Sequence, residues 1–126
     1  MIAVDANGAD RGPAAVAEGV KRSGLPVLLF GPRAEIEGAA GPHAEIVDAP
    51  ETIKAGEEAV AAVRSKRDAS IVRAAKAVGE GRADALVSAG STGPTLAAAT
   101  LSIKRVHGVY RPARRDCGRA RDREGG

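Results

Sequence analysis

Asp84-Ala85-Leu86-Val87-Ser88-Ala89-Gly90-Ser91-Thr92-Gly93-Pro94 is the stretch on which the reading of this chain turns. Ala85 to Ser88 is a short apolar run of the kind that forms a buried parallel strand. Pro94 suits the first position of a helix, where a missing N–H costs nothing and φ is already helical. A helix from Pro94 to about Ile103 is therefore predicted. Only Ser, Ala, Gly and Thr stand between strand and helix, so the backbone can come close to a ligand. The unpaired N–H groups that open a helix attract anions. Gly90, Ser91, Thr92 and Gly93 form the candidate cradle, and Ser88 adds a hydroxyl at the strand's carboxyl end. Phosphate, or a similar oxyanion, is the ligand such a turn favours. The same junction of small residues also occurs in α/β proteins that bind nothing there, so its meaning depends on context.

Upstream, Ile2-Ala3-Val4, closed by Asp5, reads as a first buried parallel strand, with Asn7-Gly8-Ala9-Asp10 as the turn after it. Pro13 opens a helix to about Ser23, with Val16 and Val20 on one face and Gly24 at its end. Pro26 to Phe30 is a second strand, stopped by Gly31-Pro32. One or two helical turns are expected in 33–39, and a third strand over Ala44 to Val47. Glu57 to Val63 is compatible with a helix, weakened at its start by Gly56. Ser70 to Gly79 is a clearer one: Ile71, Ala74, Ala75 and Val78 make an i, i+3, i+4, i+7 stripe, and Asp68 is the expected N-cap. Strands alternating with helices indicate an α/β layered fold with a parallel sheet. In such sheets ligands collect outside the carboxyl ends of the strands. Asp5 to Gly8 and Ser88 to Gly93 both lie at such ends, so one cleft is expected to hold both.

The totals narrow the field. With 126 residues the chain suffices for one small domain. One Phe, one Tyr and no Trp leave a core of Ala, Val, Leu and Ile, thin for its length. A single cysteine, Cys117, gives neither an internal disulfide nor a metal cluster, which fits a reducing, cytoplasmic setting. No secretion signal and no apolar run long enough to span a bilayer is seen. Net charge is +3, with 19 basic and 16 acidic residues. Residues 111–126 hold six of those arginines and three of those acids, leaving 13 of each sign in the first 110. The basic excess thus belongs to a tail without any aliphatic residue larger than Ala, expected to be disordered, and a nucleic-acid partner is not indicated. No GxGxxG follows a strand and no Walker lysine motif is present, which disfavours a nucleotide.

Four motifs in register give the chain a resemblance to the amino-terminal part of the bacterial PlsX family of phosphate acyltransferases. Asp5-Ala6-Asn7-Gly8-Ala9-Asp10 resembles the family's DAMGGD opening. Ala62-Val63-Arg64-Ser65-Lys66-Arg67-Asp68-Ala69-Ser70 is similar to its AVRxKxDSS segment. Ala83 to Gly93 resembles ADAxVSAGNTG, and His107 to Ala113 resembles the GIxRPA that follows. The chain departs from these patterns at Asn7, Ala9, Ala69, Ser91, Pro94 and Tyr110. After Ala113 the family's pattern breaks off, which is read as a shifted reading frame or a truncated gene model.

The resemblance implies a three-layer αβα fold with a mainly parallel sheet, like that of isocitrate and isopropylmalate dehydrogenases, here incomplete. Residues 1–110 would be the amino-terminal part of that domain and 111–126 the basic tail. The implied reaction forms acyl phosphate from acyl-[acyl carrier protein] and inorganic phosphate, feeding phosphatidic acid synthesis. It requires no metal or organic cofactor. The implied partners are acyl carrier protein, phosphate and a second copy in a homodimer, in the cytoplasm and in part at the membrane periphery. Gly90, Ser91, Thr92 and Gly93 would cradle phosphate, with Ser88 contributing. Arg64 and Lys66 are candidates for neutralising its charge, or a solvated pair at a helix end. Ser70 binds phosphate or faces solvent, and Asp5, beside Gly8, orients the loop or bonds turn amides. His43 and His107 are read as surface residues, and no general base is assigned. The competing readings are an inactive, truncated fragment and a related phosphotransacylase acting on another acyl phosphate.

Overall fold

Short apolar runs punctuated by Gly and Pro become four strands and five helices in the computed structural model, which describes residues 1–104. The His107–Ala113 motif, Cys117 and the 111–126 tail lie outside the described residues. In chain order the elements are β1 (Ile2–Asp5), α1 (Pro13–Ser23), β2 (Val27–Gly31), α2 (Arg33–Ile36) and β3 (Ala44–Asp48). They continue with α3 (Ala59–Ser65), α4 (Ser70–Gly79), β4 (Ala85–Ser88) and α5 (Thr92–Ser102). No helix among the described residues is long and apolar enough to cross a membrane.

The strands form one parallel sheet in the order β3-β2-β1-β4. From β1 the chain steps outward to β2 and β3, then returns to place β4 on the other side of β1. The reversal makes a topological switch point between β1 and β4, where the loops leaving two neighbouring strands diverge and open a crevice. Asp5 is in register with Ser88 across that point.

Helices cover both faces, giving three layers. On one face Val4, Val27 and Leu29 pack against Ala17 and Val20 of α1 and Ile36 of α2. On the other, Ala3, Leu28 and Phe30 meet Ala74 and Ala77 of α4. A third cluster joins α3, α4 and α5 through Ala62, Val63, Ile71, Val72, Ala75 and Ala98. Helix α4 is therefore enclosed, with six of its ten residues buried, and the i, i+3, i+4, i+7 stripe is only part of its contact surface.

Helix α1 begins at Pro13 and ends at Gly24, whose φ of 65° is the left-handed turn expected at a helix end. The other ends depart from expectation. The N-cap of α4 is Ala69 rather than Asp68, and no side chain caps it. Its Ser70 amide instead donates to the Glu51 carbonyl at 3.0 Å, so a neighbouring loop supplies the cap. Helix α5 begins at Thr92, which makes Pro94 its third residue, still within the first turn, where no intrahelical N–H bond is lost. Glu58 caps α3, its carboxylate accepting from the amides of Val60 at 3.2 Å and Ala61 at 2.6 Å.

With few large side chains, the core closes by bringing backbones together. A Cβ on Gly79 would run into the Ser102 carbonyl oxygen at the end of α5. That oxygen is backbone and has no rotamer by which to move aside. Gly79→Ala should therefore lose stability, because an overpacking cost of about 1–3 kcal/mol exceeds the roughly 1 kcal/mol gained in helix propensity. Urea denaturation checks this, and an unchanged or higher midpoint would show that α4 and α5 are not in backbone contact.

Candidate functional site

The crevice at the switch point is built around a buried carboxylate. Asp5, Asn7 and Ser70 are the buried polar residues among those described, with relative exposures of 3%, 8% and 1%. The Ser70 hydroxyl donates to Asp5 Oδ1 at 2.6 Å, and the Asn7 amide donates to the same oxygen at 3.1 Å. The Ser88 hydroxyl donates to Asp5 Oδ2 at 3.0 Å, and Ser88 Oγ in turn accepts the Gly90 N–H at 3.0 Å. Asn7 completes the network, its Nδ2 donating to the Ala49 carbonyl and to Ser70 Oγ, both at 3.0 Å. Among the described residues no buried side-chain nitrogen or oxygen lacks a partner.

Burial pushes the Asp5 pKa up, because the charged form is desolvated. The hydrogen bonds from Ser70, the Asn7 amide and Ser88 pull it back in part.

The turn after β1 and the turn after β4 touch through their backbones. A Cβ on Gly8, whose φ is 84°, would stand 3.0 Å from Gly90 Cα. A Cβ on Gly90 would stand 3.1 Å from the Asn7 carbonyl oxygen. Glycine at both positions lets the two turns meet, and Asp5, Gly8, Gly90 and Ser91 line one crevice, whereas Ser88, Thr92 and Gly93 do not line it.

The space left is narrow. Asp5, Gly8, Ile53, Ser70, Gly90 and Thr95 are among the residues that line it, and its interior volume of about 10 Å³ suits a single water. Its mouth opens beside the start of α5, where Ser91 and Pro94 line it. There the N-cap Ser91 makes no side-chain capping bond, and the Thr92 and Gly93 amides have no partner within the helix. Thr92 and Gly93 are exposed.

The remaining candidates divide between the crevice and the end of α3. Lys66 is the C-cap of α3 and pairs with Glu57 at 2.7 Å, both side chains being about one-third exposed. The hydrogen bond from Lys66 holds the Glu57 carboxyl below its ordinary range. Arg64 lies exposed in the last turn of α3, and neither it nor Lys66 lines the crevice. Ser70 does not face solvent. Its side chain turns inward to Asp5, so of the two readings of its position the solvated one is corrected. His43 is exposed, and His107 is outside the described residues.

Sequence reasoning missed Asn7, Thr52, Ile53 and Thr95. Asn7 read as an ordinary turn residue, and nothing local announced that its amide reaches Ala49 and Ser70, 42 and 63 positions away. Thr52 and Ile53 belong to a stretch without periodicity, brought to the crevice by tertiary structure alone.

Residues 1–115 match the family described as "Fatty acid synthesis protein". Curated relatives carrying the name phosphate acyltransferase are similar over nearly the same span. One from an Exiguobacterium species is 44% identical over 121 residues, which is 89% of this chain and 37% of that protein. One from Ligilactobacillus salivarius is 44% identical over 118 residues, 88% of this chain and 35% of that protein. One from Levilactobacillus brevis is 45% identical over 118 residues, covering 34% of its length. The chain thus spans about a third of the length of the curated relatives it matches.

The raised Asp5 pKa has a consequence for stability. Unfolded, the group titrates near an ordinary carboxylate pKa of about 3.9; folded, it takes up its proton at higher pH. Between the two values the folded state binds more protons, so Asp5 favours folding increasingly as pH falls. Subtracting the stability of Asp5→Asn from that of the wild type isolates this group. The difference should move in favour of the wild type as pH falls through the folded pKa. Urea denaturation across pH 4–7 measures it, and a flat difference would mean that Asp5 titrates as it does in water.

Proposed function

The chain belongs to the fatty acid synthesis protein family, and from that premise we propose that the mouth of the crevice seats inorganic phosphate for acyl transfer from acyl-[acyl carrier protein]. The observation that carries this reading is the start of α5. The Thr92 and Gly93 amides, without a partner among the described residues, and the Ser91 and Thr92 hydroxyls gather at a switch point between parallel strands. The names of the relatives support the same chemistry.

In the proposed reaction, a phosphate oxygen attacks the thioester carbonyl carbon. The tetrahedral intermediate collapses with cleavage of the C–S bond. Acyl phosphate is released, and the carrier's thiolate leaves and takes up a proton from solvent. Thiolate is a good leaving group, so little acid assistance is required. Binding holds the nucleophile near the carbonyl and strips part of its water. Amide and hydroxyl donors on one side of the ion leave its far oxygens free to attack.

Gly90 serves by admitting the neighbouring turn, since its own N–H is committed to Ser88. Arg64 and Lys66 are the candidates for neutralising the ion's charge; Lys66 is paired with Glu57, so a contact from it requires that pair to open. Acyl carrier protein is the acyl donor in this reading. The homodimer, the cytoplasmic setting, the membrane periphery and a place in phosphatidic acid synthesis are further parts of it.

A second reading, an inactive incomplete domain, is favoured by one feature. Among the described residues β4 pairs only with β1, and Val87 on it is 51% exposed. Such an edge is a site for association with other chains. Measuring phosphate-dependent release of free carrier protein from acyl-[acyl carrier protein] decides between them, with circular dichroism on the same sample. Activity in a folded 126-residue chain supports the first reading. A folded but inactive chain, with activity in a version extended to the length of the relatives, supports the second.

Gly93→Asp tests the phosphate seat directly. An acidic residue in the first turn is favourable to the helix by about 0.3–1 kcal/mol, and a Cβ at Gly93 meets only ordinary contact, 3.5 Å from Ala59 Cβ. The added charge should nevertheless raise the KM for phosphate by about tenfold, as expected for a like charge placed at the anion's position. A KM within twofold of the wild type would place the phosphate elsewhere.

A further inference from the structure

The hydrogen-bond directions around Asp5 can be followed atom by atom. An ionised carboxylate only accepts, whereas a serine hydroxyl has one proton to give and two lone pairs to receive with. Asp5 therefore draws the protons of both Ser70 and Ser88 toward itself. With its proton committed, Ser88 turns a lone pair toward the turn, where it receives the Gly90 N–H. Ser70, held in the same way, turns a lone pair toward Asn7 Nδ2. One carboxylate thus joins the end of β1, the start of α4, the end of β4 and the turn that leads into α5. Ser88 has no proton left for a ligand.

We infer that Asp5 is a positioning residue: acting through Ser88, it anchors the Gly90 amide and so fixes the backbone that presents the first amides of α5. This rests on the phosphate-seat reading above. Asp5 does not touch the ion. Its two oxygens are occupied by three donors. Ser88 and Ser70 pass on its orientation rather than bind the ion. Gly90 stands one residue before Ser91, between the end of β4 and the N-cap of α5, so releasing its amide frees Ser91 to Gly93 together.

The test uses Ser88→Ala, Ser88→Thr and Asp5→Asn in the full chain, with amide hydrogen exchange at Gly90 and titration with inorganic phosphate. Ser88 is half-buried on an edge strand, where Ala and Thr are both tolerated, and Thr keeps the hydroxyl. Ser88→Ala and Asp5→Asn should speed Gly90 exchange and weaken phosphate binding, each by about tenfold, the scale of one lost hydrogen bond linked to a charge. Ser88→Thr should keep both near wild type. Unchanged Gly90 exchange in Ser88→Ala overturns the inference. So does faster exchange with phosphate affinity still within twofold. If Gly90 responds as expected but the wild type itself does not bind phosphate, the anchoring by Asp5 stands and the phosphate reading fails.

Discussion

A carboxylate removed from water must be surrounded by donors, and this requirement at Asp5 organises the molecule. Asp5 ends the central strand β1, so both of its neighbours and the helix layer above it converge there. Satisfying its two oxygens takes a hydroxyl from α4, a hydroxyl from β4 and an amide from its own turn. Each comes from a different part of the chain, and two lie 65 and 83 positions away. A polar group left unpaired in such a place costs on the order of 1–3 kcal/mol, more when charged, so the three elements are held in one relative placement. The apolar contacts alone would not do this. A core made largely of alanine is tolerant of small slides, because its members present little shape to interlock.

That composition also explains how closely the elements approach. Ala74 and Ala77 let α4 lie down on Ala3 and Phe30, and Gly79 lets α5 cross it at backbone distance. Gly8 and Gly90 do the same for the two turns. Dispersion falls off steeply with separation, so a core poor in large side chains recovers contact by shortening distances. Polar networks then add the directionality that small side chains lack.

The fold was largely legible, and the reasons are local. Parallel strands buried on both faces read as continuous apolar runs, as in Val27 to Phe30, and Pro13 and Gly24 mark α1 at both ends. The α4 cap was not legible, because it is the Glu51 carbonyl rather than Asp68, and a carbonyl is carried by every residue. The meeting of the turns at Asp5–Gly8 and Ser88–Gly93 followed from a general rule about strand ends. What the rule could not say was how each side chain would be used. Asn7 became a buried link across two elements, Ser70 turned inward, and Lys66 found Glu57. These are choices among partners distant in sequence, and residue type alone does not rank them.

A negative charge beside the proposed seat for an anion looks contradictory, but the two face different surroundings. Phosphate and Asp5 would repel at close range, but the space beside Asp5 is narrow, with an interior volume of about 10 Å³. The carboxylate is also faced by three N–H or O–H dipoles whose positive ends point at it, and they offset part of its field. At the mouth the dipoles run the other way. The amides of Thr92 and Gly93 point outward, and the aligned peptides of an 11-residue helix stand behind them. The Ser88 hydroxyl marks the divide between the two regions. Its single proton can serve the carboxylate or a phosphate, but not both, and it serves the carboxylate. The donors around Asp5 are thereby spent on structure. If phosphate binds at the start of α5 as proposed, the same separation would keep it shallow, held on one side, with oxygens toward solvent. In the proposed reaction that is the state a nucleophile needs to reach a thioester carbonyl.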